Sequence, residues 1–339
     1  MRYKILVMLF CAYWWWADFI KTYNPELEKT NTKIFYLLDY RIKNIDLNIS
    51  ETNKVLYIKD SILKRHRFYN SNSNTYDKVL CFAHLPPSIR LKSKVITYFH
   101  QYSFLSLPKE SNIISRFKWF LKSKVLFAFK KNSDKWIVQS SHVKDKMIEK
   151  YDIESEKIDC IPFFSLKKVV KPVSKIKNKF VYVSFPYEYK NHLRLIEGFV
   201  ESYKKNQKGE LHLTVDNNSR YLIKKIEYYQ KKNIPIFNHG IIKKAEVDKL
   251  YASSEYLVFP STMESFGLPL IEAIYFECKV LASDLPFVNV ICKPSFKFNP
   301  NDVGSISSAI TKSINTNSKK SELIIKNQTS ELIKLLTEG

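Results

Sequence analysis

Glycine is scarce in this chain. Its 339 residues hold six, Gly198, Gly209, Gly240, Gly267, Gly304 and Gly339, and none among the first 197. An N-terminal P-loop or GxGxxG turn is thereby excluded, because both need glycine where the backbone bends tightly against phosphate. Cysteine is sparse as well: Cys11, Cys81, Cys160, Cys278 and Cys292 are odd in number, widely spaced and without a CxxC pair. That pattern suggests neither a disulfide framework nor a zinc site, and it fits a reducing cytoplasm. Long apolar runs are missing too. The nearest is Ile5–Trp16, behind Arg2 and Lys4, too short for the roughly 18 residues of a spanning helix. Trp14, Trp15 and Trp16 also stand where signal cleavage needs small residues. Lys4–Ala12 reads instead as a buried first strand.

Acidic residues are the minority charge, 33 Asp and Glu against 55 Lys and Arg, for a formal net charge of +22. Such an excess favours anionic partners, whether nucleic acid, phospholipid or phosphorylated substrates. Abundant Lys, Asn, Ile, Tyr and Phe with little Gly is equally what AT-rich coding produces, so charge alone does not choose among them. With 45% hydrophobic and 14% aromatic residues, the chain has enough apolar surface to offset ordering entropy, and its length suits about two domains.

Short β-rich runs alternate with longer mixed segments. The first half carries Lys33–Leu38, Lys54–Ile58, Lys78–Ala83, Val95–His100, Trp136–Gln139 and Ile158–Ile161. The second carries Phe180–Ser184, Leu211–Val215, Ile234–Phe237, Tyr256–Pro260 and Val280–Ser283, with Asn191–Lys204 and Ala245–Ser253 suited to helices. This is the parallel α/β pattern, and it predicts two doubly wound domains. Ser165–Lys179, with six lysines, Pro172 and no acid, reads as a solvated boundary. We therefore expect an N-terminal domain over 1–168, a basic linker over 169–179, a second domain over 180–320 and a closing amphipathic helix within 321–339.

The richest segment is Tyr256–Ser283, read as strand, loop, helix and strand. Gly267 permits a tight loop and Pro269 suits the first helical position, so a helix N-terminus opens at the C-terminal end of a strand. Its orphan N–H groups and positive dipole end favour phosphate. Glu264 in the loop and Glu272 a turn into the helix flank that point, placed to accept from sugar or ribose hydroxyls. Glu264, Ser265, Phe266, Gly267, Pro269, Glu272 and Ala273, after Pro260-Ser261, match the signature of two glutamates seven residues apart around S-F-G-x-P. In this the segment resembles the retaining glycosyltransferase family 4, the glycosyl transferases group 1, of the GT-B fold. Phe180–Phe199 looks like that family's first C-domain strand and phosphate loop, with Lys190-Asn191-His192 before a helix. Trp136–Phe164 looks like its last N-domain unit, and His239-Gly240 matches a glycine near the nucleotide base.

The resemblance implies two Rossmann-like domains facing a cleft, with domain 1–168 on the acceptor side. It implies transfer of a sugar from a UDP- or GDP-sugar to a lipid-linked oligosaccharide or polysaccharide. Glu272 would bind the ribose, Glu264 the donor sugar, and Lys190 with the Ser265–Gly267 backbone the departing diphosphate. Asn191, Leu268 and Gly240 would complete the donor site, and His100 at the end of Val95–Phe99 would reach the donor sugar. The chain departs from the family in two places. Trp14–Trp16 stand near the usual glycine-rich acceptor loop, and Ser184–Tyr189 lacks the arginine that often precedes the phosphate-loop lysine. No D-x-D pair occurs, so neither a metal nor another cofactor is expected; the helix N-terminus and Lys190 would neutralise the diphosphate instead.

Arg116–Lys131 has six basic residues and no acid. On a helical wheel Phe117, Phe120, Leu121, Val125 and Ala128 read as the core face, interrupted by Lys124. Lys118, Trp119, Lys122, Leu126, Phe129 and Lys130 gather opposite, where aromatics beside lysines suit an anionic membrane surface. The resulting expectation is a cytoplasmic enzyme peripherally bound to the inner membrane face. A basic nucleic-acid-binding protein is the contrasting reading, but it lacks any RRM, KH or helix-turn-helix signature and leaves the two glutamates unexplained, so no nucleic acid is expected. A catalytically degenerate GT-B assembly partner is the third.

Overall fold

The computed structural model describes residues 3–10, 24–82, 84–107, 112–166 and 174–338. The chain divides into two compact units, Met1–Ser165 together with Lys326–Gly339, and Leu166–Ile325. Trp14–Trp16, Ala12, Ala83 and residues 169–173 of the expected linker lie outside the described residues.

The first unit is built on β1 Ile5–Leu9, β2 Ile34–Asp39, β3 Lys54–Ile58, β4 Lys78–Cys81, β5 Lys94–Tyr98, β6 Lys135–Val138 and β7 Ile158–Cys160. All pair in parallel, in the order β3-β2-β1-β4-β5-β6-β7. Every residue of β1 and β2 is buried, which is why these strands read as unbroken apolar runs rather than alternating ones. Side chains still alternate between faces: Ile5, Val7 and Leu9 join one core with Tyr36 and Leu38, while Leu6 and Met8 join another with Phe35 and Leu37.

The C-terminal helix Thr329–Thr337 places Leu332 and Leu336 in the first of those cores. Two lysines hold its end: Lys4, just before β1, donates from Nζ to the Thr337 carbonyl at 2.9 Å, and Lys78 of β4 donates from Nζ to the carbonyls of Leu335, at 2.9 Å, and Glu338. These carbonyls have no partner within the helix, and a cation there also meets the negative dipole end. The helix is shorter than expected. Glu322–Leu323 instead forms strand β15, antiparallel to β13 Cys292–Lys293, and Asn327 turns aside so that its Nδ2 donates to the Phe164 carbonyl at 2.7 Å.

In the second unit β8 Ile176–Tyr182, β9 Glu210–Leu213, β10 Ile236–Asn238, β11 Ser254–Phe259, β12 Lys279–Ser283 and β14 Phe296–Phe298 form a parallel sheet. Its order is β10-β9-β8-β11-β12-β14. Strand β8 starts four positions before the expected Phe180, taking in the end of the basic stretch, because Asn178 N is held by Glu255 Oε2 at 2.8 Å and Ile176 pairs with Ser254. Just upstream, Lys175 Nζ donates to the carbonyls of Tyr251 at 2.9 Å and Phe276 at 2.5 Å. One lysine thus serves the ends of helices Lys244–Ser253 and Leu268–Tyr275.

Helix His192–Asn206 packs on helix Val303–Asn315 through Gly198, where a Cβ would lie 2.7 Å from Ile306 Cγ2 and 2.8 Å from Ile306 Cβ. Gly198→Val is therefore expected to lower stability by about 1–3 kcal/mol through overpacking, read by urea unfolding. An unchanged midpoint would mean the two helices separate freely.

Candidate functional site

In a doubly wound sheet the chain order reverses at one point, and loops leaving the carboxyl ends of the strands there diverge to open a crevice. In the second unit that point lies between β8 and β11. The loop after β8 carries Lys190, the loop after β11 carries Glu264, and Lys190 Nζ meets Glu264 Oε1 at 2.5 Å across 74 positions of sequence. Both side chains are largely enclosed, 14% and 10% exposed.

The loops are stitched together by backbone groups. Thr262 N donates to the Tyr189 carbonyl at 2.8 Å, Ser261 Oγ donates to the same carbonyl at 3.2 Å, and Tyr182 OH donates to the Lys190 carbonyl at 3.0 Å. Asn191 adopts the left-handed conformation at φ +61°, which asparagine tolerates better than most residues. Its buried Nδ2 donates to the carbonyls of Pro260 at 3.1 Å and Pro300 at 2.7 Å. Asn191 therefore sets the loop rather than lying open for a ligand. His192 is buried against Tyr182, and burial, then Lys190, pushes its imidazole down to about 3.

Ser265, Phe266 and Gly267 lead into helix Leu268–Tyr275. Gly267 is its N-cap at φ +77° and has no side chain of its own to cap it. Pro269 is the second helical residue rather than the first; its missing N–H falls among the orphan positions either way. Leu270, Ile271 and Ala273 are buried beneath, so the helix is fixed with its positive end beside the Lys190–Glu264 loops.

Glu272 is paired with a residue that sequence reasoning did not single out. Lys244 Nζ contacts Glu272 Oε1 at 2.8 Å and Asp248 Oδ1 at 2.7 Å. Burial raises the Glu272 carboxyl above its usual range and Lys244 offsets part of that rise. Burial opposes charge on Lys244, and Glu272 with Asp248 more than compensates, raising it. Gly240 sits at φ +66° with open space where a Cβ would be. Asn238 fixes its loop, accepting from Val215 N at 2.8 Å and donating to the Val215 carbonyl at 3.0 Å. Beside it His239 Nε2 and His212 Nδ1 share a hydrogen bond of 2.8 Å, and burial first, then Lys179, lowers both imidazoles, His212 to about 4.

His100 belongs to the first unit. Its ring stacks on Tyr98 at 5.3 Å between centroids and meets His84 edge-on at 5.3 Å; burial, then His84, holds it well below the usual histidine range. It is a neutral, enclosed imidazole. Among the described residues no group of three or more His, Cys, Asp or Glu could hold a metal ion.

Residues 165–330, which carry this helix N-terminus, the switch-point lysine and the two carboxylates, match a known family model described as glycosyl transferases group 1. Residues 165–330 are thereby identified with the glycosyl transferases group 1 family. The O-antigen chain mannosyltransferase RfbU of Salmonella typhimurium is 30% identical over 172 residues, 50% of this chain and 47% of that protein. The match thus spans about half the length of the curated relative. Among solved structures, the lipopolysaccharide outer core galactosyltransferase WaaB in its apo form has a TM-score of 0.64 at 15% identity, covering 99% of this chain and 94% of its own. HepE of Anabaena, solved with UDP and glucose, has a TM-score of 0.64 at 12% identity, covering 92% and 90%. At those identities the likeness is one of fold, the two-sheet GT-B class.

The Glu272–Lys244 pair gives the site a pH signature. A carboxyl whose pKa is higher folded than unfolded leaves stability untouched at low pH and costs stability as pH rises past the unfolded value. Removing Lys244 enlarges that rise. Lys244→Met is therefore expected to fall further below the wild type in melting temperature as pH climbs from about 4 to about 7, and Glu272→Gln in the same background should flatten the difference. A deficit equal at every pH would show that the pair is not its source.

Proposed function

We propose that this chain is a retaining glycosyltransferase that moves a sugar from a nucleoside-diphosphate sugar, with UDP or GDP as carrier, to a lipid-linked oligosaccharide or growing polysaccharide of the O-antigen or lipopolysaccharide kind. The observation that carries it is the Lys190–Glu264 pair at the switch point, beside the helix N-terminus that opens at Gly267. In this reading the bond between the sugar's anomeric carbon and the diphosphate breaks, negative charge grows on the leaving diphosphate, and the acceptor hydroxyl forms the new bond as its proton passes to a departing diphosphate oxygen. Donors already aimed at that charge act mainly in the transition state.

Lys190 then has two partners to choose between. A diphosphate entering at the helix N-terminus competes with Glu264 for the ammonium, and the carboxylate so released accepts from a hydroxyl of the donor sugar. Backbone groups of Ser265, Phe266, Gly267 and Leu268 supply further N–H donors. Glu272, held beside Lys244, accepts from the ribose hydroxyls, and the base packs against the loop at Gly240. His100, neutral through burial, acts in this reading by hydrogen bonding rather than by charge. Lysine and helix dipole supply the positive charge, so the reaction needs no metal and activity survives EDTA. The curated relative's role as an O-antigen chain mannosyltransferase supports an acceptor of that class, and in this reading the acceptor is presented at the cytoplasmic face of the membrane.

Two substitutions separate binding from chemistry. Glu272→Ala should weaken donor binding by about 10- to 150-fold in calorimetry, the loss of charge-assisted hydrogen bonds worth roughly 1.5–3 kcal/mol. Lys190→Ala should lower turnover by about 100-fold or more with a smaller change in donor affinity. Near-normal turnover in a folded Lys190→Ala protein, or complete loss of activity in EDTA restored by manganese, would contradict the proposal.

A further inference from the structure

Helix Ile113–Phe129 is seated the opposite way round from its helical wheel. Leu126 is buried, Trp119 packs edge-on against Phe104 at 5.2 Å, and Ser123 shares a hydrogen bond with Tyr151 at 2.8 Å. Of the face expected in the core, Phe117, Phe120, Leu121 and Ala128 point outward while Val125 is half-buried, and Ile113, Ile114 and Phe127 are exposed with them. Ile113, Ile114, Phe117, Phe120, Leu121 and Phe127 are between 49% and 84% exposed. Water-soluble helices turn polar residues outward, and a contiguous apolar patch on the surface marks an interaction site.

We infer that this apolar face enters the interfacial layer of an anionic lipid membrane, with the flanking cations on the headgroups. The inference rests on the membrane-face reading of the function above. Charge selects the occupant. No acid lies between Asn112 and Asn132, while Arg116, Lys118 and Lys124 are exposed beside the apolar residues. Lys124 Nζ lies 5.3 Å from the centre of the Phe120 ring, so ammonium and aromatic surface lie together. A second copy of this chain seated face to face would set the two basic segments against each other, whereas an acidic lipid surface satisfies them. A groove of about 700 Å³ between this helix and Lys150 deepens the patch. No helix of the described residues is long and apolar enough to cross a membrane, so the helix lies in the surface plane.

The distinction from adsorption by charge is that apolar side chains, not only lysines, carry the binding. The test is flotation with vesicles of roughly one-third phosphatidylglycerol in phosphatidylcholine. The Phe117→Ser, Phe120→Ser, Leu121→Ser triple variant should bind about 100-fold or more weakly, since three exposed side chains no longer leave water. In a separate Phe120→Trp protein, lipids brominated on the acyl chain should quench the added indole fluorescence. Full binding by the triple variant, no quenching in Phe120→Trp, or a wild type that dimerises through this face and ignores vesicles would each overturn the inference. Calorimetry with UDP- and GDP-sugars on the same proteins keeps the two readings apart. Sugar-nucleotide binding without vesicle binding sinks only the membrane surface, and vesicle binding lost in the triple variant without any sugar-nucleotide binding sinks only the transferase.

Discussion

The parallel pairing of β8 with β11 is the constraint on which the candidate site depends. Tyr256 sits opposite Phe180 and Leu257 opposite Val181, and all four are fully or almost fully buried. Burial on both faces pins the register, because a slip of one residue would turn every side chain to the other face. Fixed register means that the loops leaving the two strands start side by side, and this brings Lys190 to Glu264 at 2.5 Å. The pair's enclosure matters in turn. Two charges taken from water are costly unless each is matched, so any ligand that draws Lys190 away has to offer a charge at least as well placed, which is the part the proposed diphosphate would play.

Much of this was legible because a fully buried parallel strand and a helix start leave local marks. Lys54–Ile58 is found where the sequence puts it, and Gly267 and Pro269 mark the helix entry within one position. Features that depend on distant partners were not legible. Strand β14 is three residues long, Phe296–Phe298, and becomes a strand only because β12 lies beside it. Lys244 looked like any surface lysine, since Glu272 is 28 positions away. The closing helix was overextended because Leu323-Ile324 and Leu332-Ile333 repeat like one amphipathic stripe, although the first pair belongs to the β13–β15 ribbon and its flank.

The reversed helix Ile113–Phe129 shows the limit of a wheel. Aromatic and basic residues occur on both of its faces, so amphipathicity alone offers two nearly equivalent orientations. Tertiary partners choose: Phe104 receives Trp119, and the core around Trp136 and Met147 receives Leu126. What the choice leaves outside is an apolar stripe that water does not stabilise. Of the lysines that suggested a lipid surface, Lys118 remains beside it, now joined at its margin by Arg116 and Lys124.

The central claim is that the second unit recognises a diphosphate through Lys190 and the helix N-terminus. Thermal-shift titration with UDP, GDP and ADP, each against its parent nucleoside, tests it most directly. At about 100 times its dissociation constant the cognate diphosphate should stabilise the protein by roughly 2.7 kcal/mol, and its nucleoside far less. That advantage should shrink in Lys190→Ala. Equal shifts from diphosphate and nucleoside, or no shift from any of them, would contradict the account.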